Sequence, residues 1–211
     1  MINATNSGNA NREIIPAGNY IARCYSMIHV GTVEEDIMGE LKVMNKCRIT
    51  WELPGELRVF DQAKGEQPLV ISKEYTLSMH EKANLRRDLE SWRGKAFTEE
   101  QAKSFDIAKL LGAPCMLNII HKTTRGGKDY AMISNISSLP KGFNCPPQIN
   151  DTFEWNFEDK FDAAELEKMP DFIKDKVKSS AEYKTLMNDP IDLPHNPPTV
   201  DDEGTDDDVP F

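Results

Sequence analysis

Hydrophobic and polar positions alternate with a period of two through much of the first half of the chain, and that rhythm predicts strands. After the turn signal Pro16-Ala17-Gly18, residues 19–33 are rich in Tyr, Ile, Val and Met and predict a long, bent first strand. Leu41, Val43, Asn45, Cys47, Ile49, Trp51 and Leu53 then alternate with Lys42, Met44, Lys46, Arg48, Thr50 and Glu52, a half-buried second strand with a basic outer face. Pro54-Gly55 is expected to break it, and residues 69–79 predict a third strand carrying Lys73 and Tyr75 in its middle. The period then changes: Leu85, Leu89 and Trp92 fall on one helical face, and Gly94 stands where a helix would stop. Thr98 with Gln101 forms a capping-box pattern that opens a second helix running to about Leu111. Residues 115–123 and 129–136 predict two more strands joined by Thr124-Arg125-Gly126-Gly127-Lys128, whose glycine pair signals a hairpin. Trp51 keeps the apolar phase of its strand and is read as core, and Trp92 as the residue that pins its helix to the sheet.

The predicted order is β-β-β-α-α-β-β, so the expected class is mainly β: a five-stranded barrel with a helical insertion between strands three and four. Residues 1–14 read as a flexible polar arm and 15–145 as the folded domain. Residues 146–184 read as a semi-ordered linker with weak helices around Pro170, within which Phe153, Trp155 and Phe157 either fold back on the barrel or form an interaction strip. Residues 185–211 are acidic and Pro-rich and read as a disordered tail.

Charge sharpens this division. The net charge of −10 argues at first against a nucleic-acid partner, yet residues 1–150 hold 19 Lys and Arg against 17 Asp and Glu, while residues 151–211 hold 6 against 18. The acidity belongs to the tail. Cys24, Cys47, Cys115 and Cys145 lack metal-ligand spacing and read as free thiols. His29, His80, His121 and His195 fall in different elements, and no HExxH, GxSxG or Walker pattern is present; the chain reads as a non-enzyme that needs no cofactor or metal. Nothing approaches the ~20 apolar residues of a membrane span.

Two motifs carry a resemblance. The segment Asp206-Asp207-Asp208-Val209-Pro210-Phe211 resembles the acidic tip of bacterial single-stranded DNA-binding proteins. The body is similar to divergent OB-fold proteins of bacteriophages through Ile15-Pro16-Ala17-Gly18-Asn19-Tyr20 and Leu111-Gly112-Ala113-Pro114-Cys115. It departs from the bacterial pattern in a longer stretch between the third and fourth strands, and its aromatic positions do not align one by one. The resemblance implies an OB-fold that binds single-stranded DNA during replication, recombination and repair. It also implies a tip, Asp206 to Phe211, that recruits replication and repair enzymes, and a cytoplasmic location, that of the bacterial host if the chain is phage-encoded. A homo-oligomer is compatible with it.

Holding a single strand without regard to sequence takes cations for phosphates and aromatic faces for bases. Basic and aromatic residues that share strand faces are the expected contacts: Arg23 and Tyr25 in the first strand; Lys42, Lys46 and Arg48 in the second; Lys73 and Tyr75 in the third; Lys122, Arg125, Lys128 and Tyr130 on the final hairpin. The rival readings are a recombination mediator or annealing protein, and an acidic DNA mimic that inhibits a DNA-processing enzyme.

Overall fold

The computed structural model describes residues 14–37 and 39–188; the N-terminal arm up to residue 13, and the tail from 189 with its Asp206 to Phe211 tip, lie outside the described residues. Among the described residues strand outweighs helix, 44% against 25%. The strands are β1 (Gly18–Ile37), β2 (Glu40–Asp61), β3 (Gly65–Thr76), β4 (Pro114–Thr123), β5 (Asp129–Ser137) and a short β6 (Phe153–Trp155). Five of them form one antiparallel sheet in the order β3-β2-β1-β4-β5, and β6 adds parallel to β1 off that path. The sheet curls into a half-barrel, so that its two edge strands, β3 and β5, come within 8 Å of each other.

From Cys47 on, the alternation read from the sequence fills the half-barrel; Leu41 and Val43, read as part of the same inward face, lie beyond the core and are exposed, at 74% and 65%. Cys47, Ile49, Trp51 and Leu53 of β2 point inward with Cys115, Leu117 and Ile119 of β4 and Ile133 and Ile136 of β5. Helix α1 (Asn84–Arg93) adds Leu85, Leu89 and Trp92 to this core and ends on Gly94 at φ +66°, a left-handed conformation that favours glycine. Trp51 is fully buried with its ring 5.7 Å from that of Trp92, whose Nε1 donates to the Pro114 carbonyl at 2.9 Å. Both tryptophans thus do what their phase predicts. The Thr98 capping box forms with both hydrogen bonds present and opens α2 (Glu99–Ser104). That helix is shorter than its pattern suggests: Asp106 caps a separate 3-10 turn (Ile107–Leu110) before β4.

Two expectations are corrected. Pro54-Gly55 does not end the second strand, because a register shift between Leu53 and Leu57 takes up the intervening residues and β2 resumes pairing with β3 through Arg58↔Gln67. The segment expected to be a semi-ordered linker over 146–184 is built into the fold. Phe153 to Trp155 pair with Ser26 to Ile28, and α3 (Ala163–Lys168), α4 (Asp171–Ser179) and α5 (Ala181–Asn188) follow, the last running through residues 185–188 that the sequence assigns to the tail. Trp155, Leu166, Met169, Ile173 and Val177 close a second apolar core on Ile28, Val30 and Val33, the outer side of β1. Phe157 packs edge-on against Trp155, ring centroids 5.0 Å apart, so this aromatic cluster folds back rather than facing outward as a strip.

Gly31 makes that docking possible. At φ +92° it adopts a backbone that side chains resist, and an added Cβ would stand 2.7 Å from the Ser180 Cβ. The close approach lets Glu182 accept hydrogen bonds from the Thr32 N–H at 2.6 Å and the Thr32 hydroxyl at 2.7 Å.

Candidate nucleic-acid interface

The eleven residues expected to hold a strand divide into those the fold consumes and those it leaves open. Lys46 and Arg48 do lie on the outer face of β2, but the basic face is neutralised. Lys46 pairs with Glu35, Arg48 Nη1 lies 3.3 Å from Glu74, and Lys176 of α4 bridges the two acids at 2.5 and 2.6 Å. The Arg48 guanidinium also sits over the Phe172 ring, 5.2 Å from its centroid. Helix α4 therefore lies over this part of β2. Burial would raise the Glu35 carboxyl, but hydrogen bonds from Lys176 and Lys46 outweigh it and hold the group below the usual carboxylate value.

Lys73 and Tyr75 are turned the other way. Tyr75 is buried against the barrel core, its hydroxyl donates to Asp88 at 3.0 Å, and Lys73 Nζ donates to the same carboxylate at 2.6 Å. Burial, reinforced by the Asp88 charge, pushes the Tyr75 phenol far above its usual value. The strand phase already carried this information, since Lys73 and Tyr75 share parity with Leu69 and Ile71, both buried. Arg23 is a clamp for loops, donating to the Gly112 carbonyl at 2.6 Å and the Pro146 carbonyl at 3.0 Å. Lys42 is exposed at the β1–β2 tip, 3.3 Å from Glu40.

The β4–β5 hairpin is different. Residues 121–130 are all exposed, and Lys122, Arg125 and Lys128 have no ion-pair partner among the described residues. Thr124 accepts from Gly127 N–H at 3.0 Å, and Gly127 takes φ +78°, so the turn depends on the glycine its sequence supplies. Lys122 and Tyr130 are cross-strand partners, which places a cation and a 43%-exposed phenol ring side by side on one face.

Beside this hairpin lies a groove of about 340 Å³ lined by Tyr25, Phe60, Pro68, Val70, Gln67 and Asn150, with Ile15 at its border. Ile15 joins the two features: its carbonyl accepts from Nε2 of His121, the residue before Lys122, at 2.8 Å. Phe60 is 58% exposed and Val70 46%. The reading from sequence named Tyr25 and the hairpin residues but not Phe60, Val70 or Asn150, which the groove brings together with Tyr25. Phe60 follows the expected break at Pro54-Gly55, and only continued pairing past that break places it on β2. One wall of the groove is held by Glu52, a buried carboxylate on the outer side of β2. It accepts from the Ile149 N–H at 2.8 Å, the Asn150 N–H at 2.8 Å and the Asn150 side-chain amide at 2.6 Å. Burial, with Glu52 nearby, raises the Tyr25 phenol above its usual value, so it enters the groove as a neutral ring and hydroxyl.

Cys24, Cys47 and Cys115 are buried free thiols, and Cys145 is half-buried. Among the described residues no group of His, Cys, Asp and Glu is placed to hold a metal ion, and no helix is long and apolar enough to cross a membrane. Compared with known proteins, the chain matches no family model and no curated sequence.

Proposed function

We propose that the chain binds single-stranded DNA with little sequence preference on an OB-type barrel, protecting it during replication, recombination and repair. The observation that carries this reading is an uncommitted cationic hairpin, Lys122, Arg125 and Lys128 with Tyr130, joined at its base through His121 and Ile15 to an open aromatic groove containing Tyr25 and Phe60. Cations for phosphates beside rings for bases are what sequence-tolerant single-strand binding requires. The OB assignment draws on the five-stranded order with helices between β3 and β4, and on the meeting of β3 with β5. OB barrels bind oligonucleotides on the second and third strands and on the loops after the first and fourth. Here α4 covers Arg48, so the strand is directed to the far end of β2 and β3 and to the β4–β5 loop.

Titrating the full chain with labelled single-stranded and duplex oligonucleotides of equal length tests the proposal. The expected result is much tighter binding of the single strand, weakening as salt rises because phosphate contacts release counterions. Equal affinity for duplex would contradict it.

Recruitment of replication and repair enzymes is the second part of the proposal and rests on the sequence of Asp206 to Phe211. A phenylalanine ring behind an acidic run suits an apolar pocket with a basic rim. Phe211→Ala should remove most partner capture in pull-downs while leaving DNA affinity unchanged; identical partner sets would refute the role.

A further inference from the structure

We propose that the groove beside the β4–β5 hairpin is a receptor for one unpaired nucleobase, contacted at its hydrogen-bonding edge by Asn150 and Gln67. This rests on the single-strand reading and gives it a specific subsite.

The groove, at about 340 Å³, is of the size of small-ligand sites, and most of its wall is aromatic or aliphatic: Tyr25, Phe60, Pro68 and Val70. Two carboxamides interrupt that wall. The Asn150 side-chain nitrogen is committed to Glu52 at 2.6 Å, and Glu52 is itself fixed by two backbone N–H groups. The amide orientation is thereby set, and the Asn150 Oδ1 is left as an acceptor that only a donor can satisfy. Gln67 makes no side-chain hydrogen bond among the described residues, so its amide can present either a donor or an acceptor.

A flat π-face to lie against Phe60 and Tyr25, together with an N–H donor beside an acceptor on one edge, describes a nucleobase outside a duplex. The amino or imino N–H meets Asn150 Oδ1, and the neighbouring acceptor meets Gln67. A paired base cannot enter, because its edge is occupied by its complement and its faces by the stack. An aliphatic side chain would fill the walls but leave the carboxamides unpaired. Cations also stand near it: the groove is linked through Ile15 to His121, the residue before Lys122, and Arg58, the cross-strand partner of Gln67, is exposed, with Asp61 and Glu66 the acids beside Phe60 and Gln67. A strand whose phosphates run along the hairpin would bring its bases past the groove.

The test compares the full chain with its Phe60→Ala and Gln67→Ala variants, measuring affinity for oligo(dT) and for an abasic strand of equal length over a salt series. Phe60 is 58% exposed, so its truncation leaves both cores untouched. For oligo(dT), Phe60→Ala should weaken binding about tenfold, the loss of one stacked base, and Gln67→Ala about threefold. Neither variant should change the salt slope, since no charge is removed, and both should bind the abasic strand as wild type does. Unaltered oligo(dT) affinity in both variants would overturn the base receptor while leaving single-strand binding in place. Failure of the wild-type chain to bind oligo(dT) would overturn the underlying reading and the receptor with it. A fall in the mass seen by light scattering for Phe60→Ala, with DNA affinity unaltered, would assign the groove to contact with a second copy of the chain.

Discussion

Two sets of basic residues with the same sequence signature end in opposite situations. Lys46, Arg48 and Lys73 stand on strands that also carry aromatic residues, and Lys122, Arg125 and Lys128 stand on a hairpin that carries Tyr130. The first set is consumed by Glu35, Glu74 and Asp88 and lies partly beneath α4; the second projects on a two-stranded ribbon with no acid paired to it among the described residues. Charge on a strand face therefore shows only that a cation needs water or a partner. Which of the two it receives is decided by elements far away in sequence. Lys176 lies 102 residues beyond Glu74, and the helix that carries it is followed by Ser180, where Gly31 leaves room for the close approach.

The largest test of this contrast strikes the cover itself. Trp155 is 1% exposed, anchors β6 in the second core, and donates from Nε1 to the Asp162 carbonyl at 3.0 Å. Trp155→Ala should destabilise the chain by about 3–5 kcal/mol through lost burial and the cavity left behind. Urea denaturation followed by circular dichroism reads this directly, and a loss under ~1 kcal/mol would show that the cover is not integral to the fold.

A smaller effect is expected from pH. Glu35 and Glu182 tie α4 and α5 to β1, and both are held below the ordinary carboxylate value. Burial raises each, but it is outweighed for Glu35 by Lys176 and Lys46, and for Glu182 by the Thr32 N–H and hydroxyl. A lowered folded value means that the unfolded chain binds the proton more readily. The stability these groups contribute is thus present above the unfolded value of about 4.3 and is lost as pH falls through their folded values. Glu35→Gln should flatten the acid limb of stability against pH, and an unchanged limb would show that the Lys46–Glu35–Lys176 network contributes nothing.

Much of the barrel could be read from residue order because its signals are local. Period two placed Cys47, Ile49, Trp51 and Leu53 of β2 inward, though it carried Leu41 and Val43 with them; Gly94 and the Thr98–Gln101 box bounded helices, and Gly126-Gly127 marked the hairpin. The second core was not readable in this way. Phe153, Trp155 and Phe157 do alternate, but β6 has three residues and acquires meaning only from its parallel pairing with Ser26 to Ile28. The site was half legible for the same reason. The hairpin cations announce themselves, whereas the groove is assembled from Tyr25, Phe60, Val70 and Asn150, which meet only after a bulge in β2 and a loop fastened by Glu52.

On the proposed single-strand reading, the open cations, and not the covered ones, hold the strand. The salt dependence of single-strand affinity measures it for wild type, for Lys46→Ala with Arg48→Ala, and for Lys122→Ala with Arg125→Ala and Lys128→Ala. With about 0.7 counterion released per phosphate contact on a single strand, the hairpin triple variant should lose about 2 from the slope of log affinity against log salt and bind at least about tenfold more weakly at low salt. The β2 double variant should keep the wild-type slope and affinity while losing about 1 kcal/mol of stability or less. A wild-type slope in the triple variant, with a reduced slope in the double, would place the strand under α4 and contradict the account.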